Sequence, residues 1–242
     1  LHGATDTHNL WDPFVPDLSK SFRVITPDSR GHGRTDNPSG ELSYELLADD
    51  LGAIILALDL DRPFVFGYSD GGQAALDFGM RYPDLAGRLI LGGVWYRFSK
   101  QYQAAISAAG FVSPGIVDWI VYQQQAPPDW FEHLRTAHPN PDPEYPRTLL
   151  KALAKLWWTP LYYSKEDFLK IRVPTLVLMG EKDEIIPVDE GRELVELIPG
   201  AEISVIPGAS HAGVFKFERE LLNILQGFFN PPARLNSPDT IR

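Results

Sequence analysis

Three short apolar runs constrain this chain more than any other feature: PFVFG at 63–67, LILGGV at 89–94, and the core of IRVPTLVLMGEKDEIIP at 171–187. Each is continuous rather than alternating and is bounded by glycine or proline, the pattern of a strand covered on both faces. Such strands belong to parallel sheets flanked by helices. The intervening segments agree. From Ser43, apolar residues recur at Leu46, Leu47, Leu51, Ile54, Ile55 and Leu58, the spacing of a helix with one buried face. Ser43 suits an N-cap, although the residue at capping-box spacing is Leu46 rather than an acid or amide. GQAALDFGMRYP at 72–83 reads as a second helix, ended by its proline. FRVITPD at 22–28 and AEISVIP at 201–207 are further strand candidates, with helices expected over 188–198 and FERELLNILQGFF. The fold class is α/β.

Between Trp95 and Phe168 no good strand candidate occurs, and the segment reads as helices joined by proline-rich turns. The chain of 242 residues is therefore expected to comprise a core, 1–94 and 169–230, a helical insertion at 95–168, and a tail at 231–242. Lysine and arginine total 22 against 32 acidic residues, and a net charge of -10 opposes binding to a phosphate backbone. Apolar runs such as AIILAL at 53–58 fall far short of the roughly 18 residues that suggest a membrane span. With no cysteine, disulfides, thiolate nucleophiles and zinc-thiolate sites are excluded. That absence does not assign a compartment: the cytoplasm is the expected location, with secretion left open. A homo-oligomer is also left open.

The chemistry centres on Gly67, Tyr68, Ser69, Asp70 and Gly71, a GxSxG sequence placed directly after a strand and before a helix. In that sharp turn the serine hydroxyl projects away from the sheet and the next backbone N–H points toward developing negative charge. A hydroxyl needs a base to become a nucleophile. Of six histidines, His211 in VIPGASHAG is the best placed, on the loop after the last strand candidate. His2 and His32 lie beside glycines and suit structural parts, His133 and His138 lie in the insertion, and His8 is expected at the surface. Asp183 leads as the acid orienting the imidazole, with Glu181 and Glu184 as competitors. The chain order serine, acid, histidine is the one used on α/β-hydrolase sheets. Oxyanion donors are expected from the N–H of Asp70 and of Ala4 in HGAT.

LHG at 1–3, PDSRGHGRT at 27–35, GYSDGG at 67–72, IRVPTLVLMGEKDEIIP and PGASHAG at 207–213 together resemble the α/β-hydrolase superfamily over nearly the whole chain. The resemblance implies Ser69 as nucleophile, Asp183 as acid, His211 as base, Asp70 and Ala4 as oxyanion donors, and 95–168 as a helical cap. Thr35 stands where the family usually has serine. It also implies that the strand ending at Leu1 and two before it precede this sequence, so that about 20–30 upstream residues, or a partner chain, are expected to complete the sheet. The elbow GYSDGG is similar to that of the valacyclovir-hydrolase-like (biphenyl-hydrolase-like) group, in which the acid after the nucleophile attracts a substrate amine. Asp70 could act so, or could cap the following helix or bind water.

The insertion and its entry carry Trp95, Trp119, Trp157 and Trp158, candidates for an apolar substrate wall or for the insertion's own core. Asp118, Asp129 and Glu132 could hold an amino terminus, as a proline aminopeptidase would require. Ser69 argues against epoxide hydrolases and dehalogenases, whose chemistry needs a carboxylate nucleophile. No metal, phosphate-loop or dinucleotide motif occurs, and no cofactor is called for. The expected activity is hydrolysis of a small to medium, partly apolar carboxylic ester through an acyl-enzyme. α-Amino-acid ester or peptide hydrolysis, lactone hydrolysis and carbon-carbon bond hydrolysis remain alternatives. So does a non-enzymatic ligand-binding or signalling module on the same fold.

Overall fold

The computed structural model describes residues 1–230; the expected tail at 231–242 lies outside them. After a short helix α1 (Val15–Leu18) the chain forms α2 (Tyr44–Ala57), β1 (Phe64–Tyr68), α3 (Asp70–Arg81) and β2 (Arg88–Gly92). The insertion follows, with α4 (Lys100–Ala108), β3 (Phe111–Ser113), β4 (Ile116–Val117), α5 (Trp119–Gln125), α6 (Trp130–Ala137), α7 (Tyr145–Trp157) and α8 (Lys165–Phe168). β5 (Thr175–Gly180), α9 (Val188–Leu197), β6 (Glu202–Ile206) and α10 (Glu218–Phe229) complete the core.

The main sheet has the order β1-β2-β5-β6 with every neighbouring pair parallel. Its central strands alternate between two apolar layers. Leu89, Leu91, Val177 and Met179 face the cluster built with α2 and α3. Ile90, Leu176 and Leu178 face Trp11, Phe14, Leu221 and Leu225 on the other side. Leu89, Ile90 and Leu91 are fully buried, each side chain contributing about 1.5–3 kcal/mol relative to exposure. Burial on both faces is why these strands read as unbroken apolar runs. Helix α2 starts where expected, the Ser43 hydroxyl accepting from Leu46 N–H at 3.2 Å, and Tyr44, Leu47, Ala48, Leu51 and Ile55 are buried.

Two expectations fail. The strand expected over FRVITPD does not form, and residues 23–29 carry no regular structure. Phe22 meets Phe64 of β1 edge-on at 6.1 Å, but among the described residues no strand pairs with this segment's backbone. On the side of β1 away from β2, Leu1 pairs with it, its nitrogen donating to Phe66 O at 2.5 Å and its carbonyl accepting from Tyr68 N–H at 3.2 Å. The insertion, expected to be purely helical, contains the antiparallel hairpin β3–β4. Its turn uses Gly115 at φ 72°, a left-handed position that glycine occupies without strain. Strands of two and three residues are too short to register as apolar runs. In the insertion, α4 packs on β3, and α7 packs on α6 and both hairpin strands.

Candidate functional site

β1 ends at Tyr68, α3 begins at Asp70, and Ser69 between them has φ 54° and ψ -122°. A non-glycine residue at positive φ costs of order 1–3 kcal/mol and persists only where its surroundings impose it. Here glycines allow the required approach. A Cβ on Gly67 would lie 2.0 Å from Gly71 O, and one on Gly71 would lie 2.4 Å from His2 O. The helix can thus start against the 1–3 backbone, with Ser69 N–H donating to Gly92 O at 2.8 Å.

The three residues singled out by motif and chain order meet at this turn. His211 Nε2 lies 3.0 Å from Ser69 Oγ, and His211 Nδ1 lies 2.7 Å from Asp183 Oδ2. Asp183 Oδ1 accepts from Ile185 and Ile186 N–H at 2.9 and 2.8 Å, so both carboxylate oxygens are engaged and its side chain is sealed from water. That fixes the tautomer: Nδ1 carries the proton toward Asp183 and Nε2 presents its lone pair to the serine. The competing acids hold backbone. Glu184 accepts from His211 N–H at 3.0 Å and Glu181 from Gly208 N–H at 2.7 Å. Tyr68, at a position the GxSxG pattern leaves open, donates its hydroxyl to His211 O at 2.7 Å.

Ser69 opens into a cavity of about 470 Å³ that also touches Ala4, Asp6, Asp70, Trp95, Trp157 and His211. Among the described residues, no backbone acceptor is paired with the N–H of Ala4 or Asp70, leaving both donors available on the cavity wall. The walls are mainly apolar and aromatic. Among the described residues no lysine or arginine lines them.

Residues 1–217 match the α/β-hydrolase fold family. The chain belongs to that family. A 2-hydroxy-6-oxo-2,4-heptadienoate hydrolase of Pseudomonas putida is 29% identical over 227 residues, 90% of this chain and 82% of the relative. A 2-hydroxy-6-oxo-6-phenylhexa-2,4-dienoate hydrolase of Burkholderia cepacia is 26% identical over 228 residues, 87% of this chain and 79% of that one. Among solved structures, a thermophilic esterase from Thermogutta terrifontis superposes with a TM-score of 0.70 at 25% identity, covering 94% of this chain and 87% of the other.

In this α/β-hydrolase the candidate aromatic residues divide. Trp95, stacked on Tyr102 at 4.9 Å, and Trp157 reach the cavity, joined by Trp130. Trp119 and Trp158 do not. The Arg147 guanidinium sits 4.7 Å over Trp119. One residue on from Trp157, the helix has turned by about 100°, and Trp158 donates to Phe111 O at 2.8 Å instead. The acids weighed for an amino terminus are also absent from the cavity lining. Asp118 caps α5 through Ile120 and Val121 N–H, and Glu132 pairs with Arg135 at the surface.

The Asp70 side chain does not cap α3. It is buried, and its oxygens accept from Tyr44 OH at 2.8 Å and from Trp157 Nε1 at 3.0 Å. Burial pushes its pKa up to about 6 against the pull of those two hydrogen bonds. Asp6 is a carboxylate that the motifs do not mark. It lines the same cavity, and burial raises it to about 6 as well.

His2 and His32 are buried structural residues, pushed down by burial to about 4 and about 3. His8, expected at the surface, is half-buried, its ring and backbone nitrogens 2.9 and 2.7 Å from Asp28 Oδ1. His133 stacks on Trp130 at 4.9 Å. Among the described residues no group of three or more histidines and acids is arranged to hold a metal ion, and no helix is long and apolar enough to cross a membrane.

Proposed function

We propose that this α/β-hydrolase is a serine carboxylic-ester hydrolase acting through an acyl-enzyme, with Ser69 as nucleophile, His211 as base and Asp183 as the acid that orients it. The observation that carries this reading is the continuous chain from Asp183 Oδ2 through His211 to Ser69 Oγ, at 2.7 and 3.0 Å, ending in an aromatic cavity. His211 Nε2 takes the hydroxyl proton as Ser69 Oγ attacks the ester carbonyl carbon. The imidazolium then formed is stabilised by the buried Asp183 carboxylate. The carbonyl oxygen becomes an oxyanion held by the N–H groups of Asp70 and Ala4. As the tetrahedral centre collapses, the C–O bond breaks and His211 returns the proton to the leaving alcohol. Water, deprotonated by the same imidazole, attacks the acyl-enzyme, and collapse of that second centre releases the acid and restores Ser69.

Residues 95–168 serve as a cap over the pocket, contributing Trp130 and Trp157 as substrate wall together with Trp95 at their edge. The charge of the lining bears on substrate class. The heptadienoate that names the Pseudomonas relative carries a carboxylate, which here would meet Asp6 and Asp70 and, among the described residues, no lysine or arginine. Leaving such a charge desolvated and unpaired is unfavourable, so uncharged acyl and alcohol groups fit better. Short-chain aryl esters should turn over with an initial burst, and Ser69→Ala should lower kcat by about 10³-fold or more. Undiminished turnover in that variant, or a fluorophosphonate adduct on another serine, overturns the assignment.

A further inference from the structure

The loop that carries Ala4 turns through Thr5, a β-branched residue at φ 61°. This is the left-handed region, where a residue branched at Cβ is a genuine outlier and is held only by external contacts. Beside the turn's own Asp6 N–H to Gly3 O bond at 3.4 Å, the holding contact comes from the insertion. His138, at the C-terminal end of α6 and 1% exposed, lies with Nε2 3.0 Å from Thr5 O and Nδ1 2.8 Å from Gly33 N. Gly33 N–H donates, so Nδ1 is the acceptor, and Nε2 must carry the proton that is donated to Thr5 O. The ring is therefore neutral in one tautomer. Around it His32 packs edge-on at 5.5 Å, and His2 lies against His32 at 5.3 Å. His2 accepts from Ser29 N–H at 2.9 Å, and its Nδ1 lies 2.7 Å from Gly3 O. Two histidines thus grip the 2–5 loop from opposite ends, but only His138 belongs to the segment between β2 and β5.

We propose that His138 is a positioning residue that fixes the Thr5 peptide in its left-handed turn and thereby aims the Ala4 N–H at the oxyanion. The inference rests on the serine-hydrolase reading of Ser69. It makes the seating of the insertion part of what completes the oxyanion site: displacing α6 withdraws the donor to Thr5 O and frees Thr5 to leave its strained conformation. His138 touches neither substrate nor nucleophile in this role. Its effect should appear where negative charge develops and hardly at all in ground-state binding.

Two near-isosteres separate the two hydrogen bonds. His138→Asn keeps an acceptor near the Nδ1 position for Gly33 and loses the donor to Thr5. His138→Gln keeps a donor near the Nε2 position and loses the acceptor. Removal of a whole oxyanion donor costs about 10²–10³-fold in kcat, so a misaimed one in His138→Asn should cost roughly tenfold to a hundredfold with KM changed less than about threefold. An aryl trifluoromethyl ketone, bound as an oxyanion adduct on Ser69, should lose affinity in the same proportion. His138→Gln should hold kcat within about threefold. Unchanged kcat and ketone affinity in His138→Asn overturn the proposal, as do equal losses in both variants that follow their melting temperatures. Should His138→Asn not fold, a loss beyond tenfold in folded His138→Gln is sufficient to overturn it. Ser69→Ala in the same assay keeps the two readings apart: if that variant is dead and His138→Asn is normal, only the positioning role fails.

Discussion

Asp70 is buried without a cationic partner, and replacing it with asparagine tests what that costs. Its pKa is raised from the usual 3.8 to about 6, chiefly because burial penalises the carboxylate. At about 1.4 kcal/mol per tenfold in proton affinity, the ionised form is about 3 kcal/mol less favourable in the fold than in the unfolded chain. Between pH 4 and 6 the folded state holds more protons at this site than the unfolded state. The Asp70 contribution is therefore fully present below pH 3.8 and is lost as pH rises through about 6. Relative to Asp70→Asn, the wild type should lose about 3 kcal/mol of stability over that window, whatever the offset from changed hydrogen bonds. Urea denaturation of both proteins at pH 4, 5, 6 and 7.5 measures the difference, and other titrating groups largely cancel in it. A difference that stays flat, or grows with pH, refutes the reasoning. The same pair tests amine recognition. Because both oxygens already accept from Tyr44 and Trp157, an amino-acid ester and its matched ester lacking the amine should lose turnover alike. A selective loss of tenfold or more, about 1.4 kcal/mol, would assign the amine to Asp70.

Asp183→Asn should lower kcat by about 10⁴-fold with the fold intact by circular dichroism, because an amide no longer stabilises the imidazolium or enforces its tautomer. Gly71→Ala places a Cβ 2.4 Å from His2 O and 2.5 Å from Leu1 O, backbone atoms that cannot swing aside. It should lower both the melting temperature and kcat, the latter at least tenfold, as α3 and the Ala4 loop are forced apart. Tyr163→Phe removes the hydroxyl that donates to buried Asp77 at 2.5 Å, whose pKa burial raises to about 7. The hydrogen bond favours the ionised form, so the loss should be about 1–3 kcal/mol and larger at pH 8 than at pH 5, as read by denaturant titration.

Much of the core was legible because its signals are local. PFVFG, LILGGV and TLVLMG became β1, β2 and β5, since burial on both faces imposes continuous apolar runs. FRVITPD also reads as a strand yet is irregular, because a strand exists only with a ladder partner and among the described residues none pairs with it. The β3–β4 hairpin was missed for the opposite reason: two or three residues on a strand have no periodicity to read. Asp118 and Trp119 suit substrate contact by residue type alone, and both stabilise the insertion away from the cavity.

The sequence by itself determined which residues are candidates for the proposed acyl transfer. The strand-turn-helix context of Ser69 is written within about ten neighbours, and the order Ser69, Asp183, His211 restricts the partners. Tertiary structure decided everything that depends on distance between remote segments. It chose Asp183 over Glu184, neighbours in sequence, because the ring nitrogen of His211 meets one and its backbone N–H meets the other. It tied the Asp70 carboxylate into hydrogen bonds with Tyr44 and Trp157, 26 and 87 residues away, and placed Asp6 on the same cavity wall. It brought His138 to Thr5 across 133 residues. A hydrogen bond acts over about 3 Å, and neither apolar periodicity nor a short motif encodes which distant side chain will arrive within that reach.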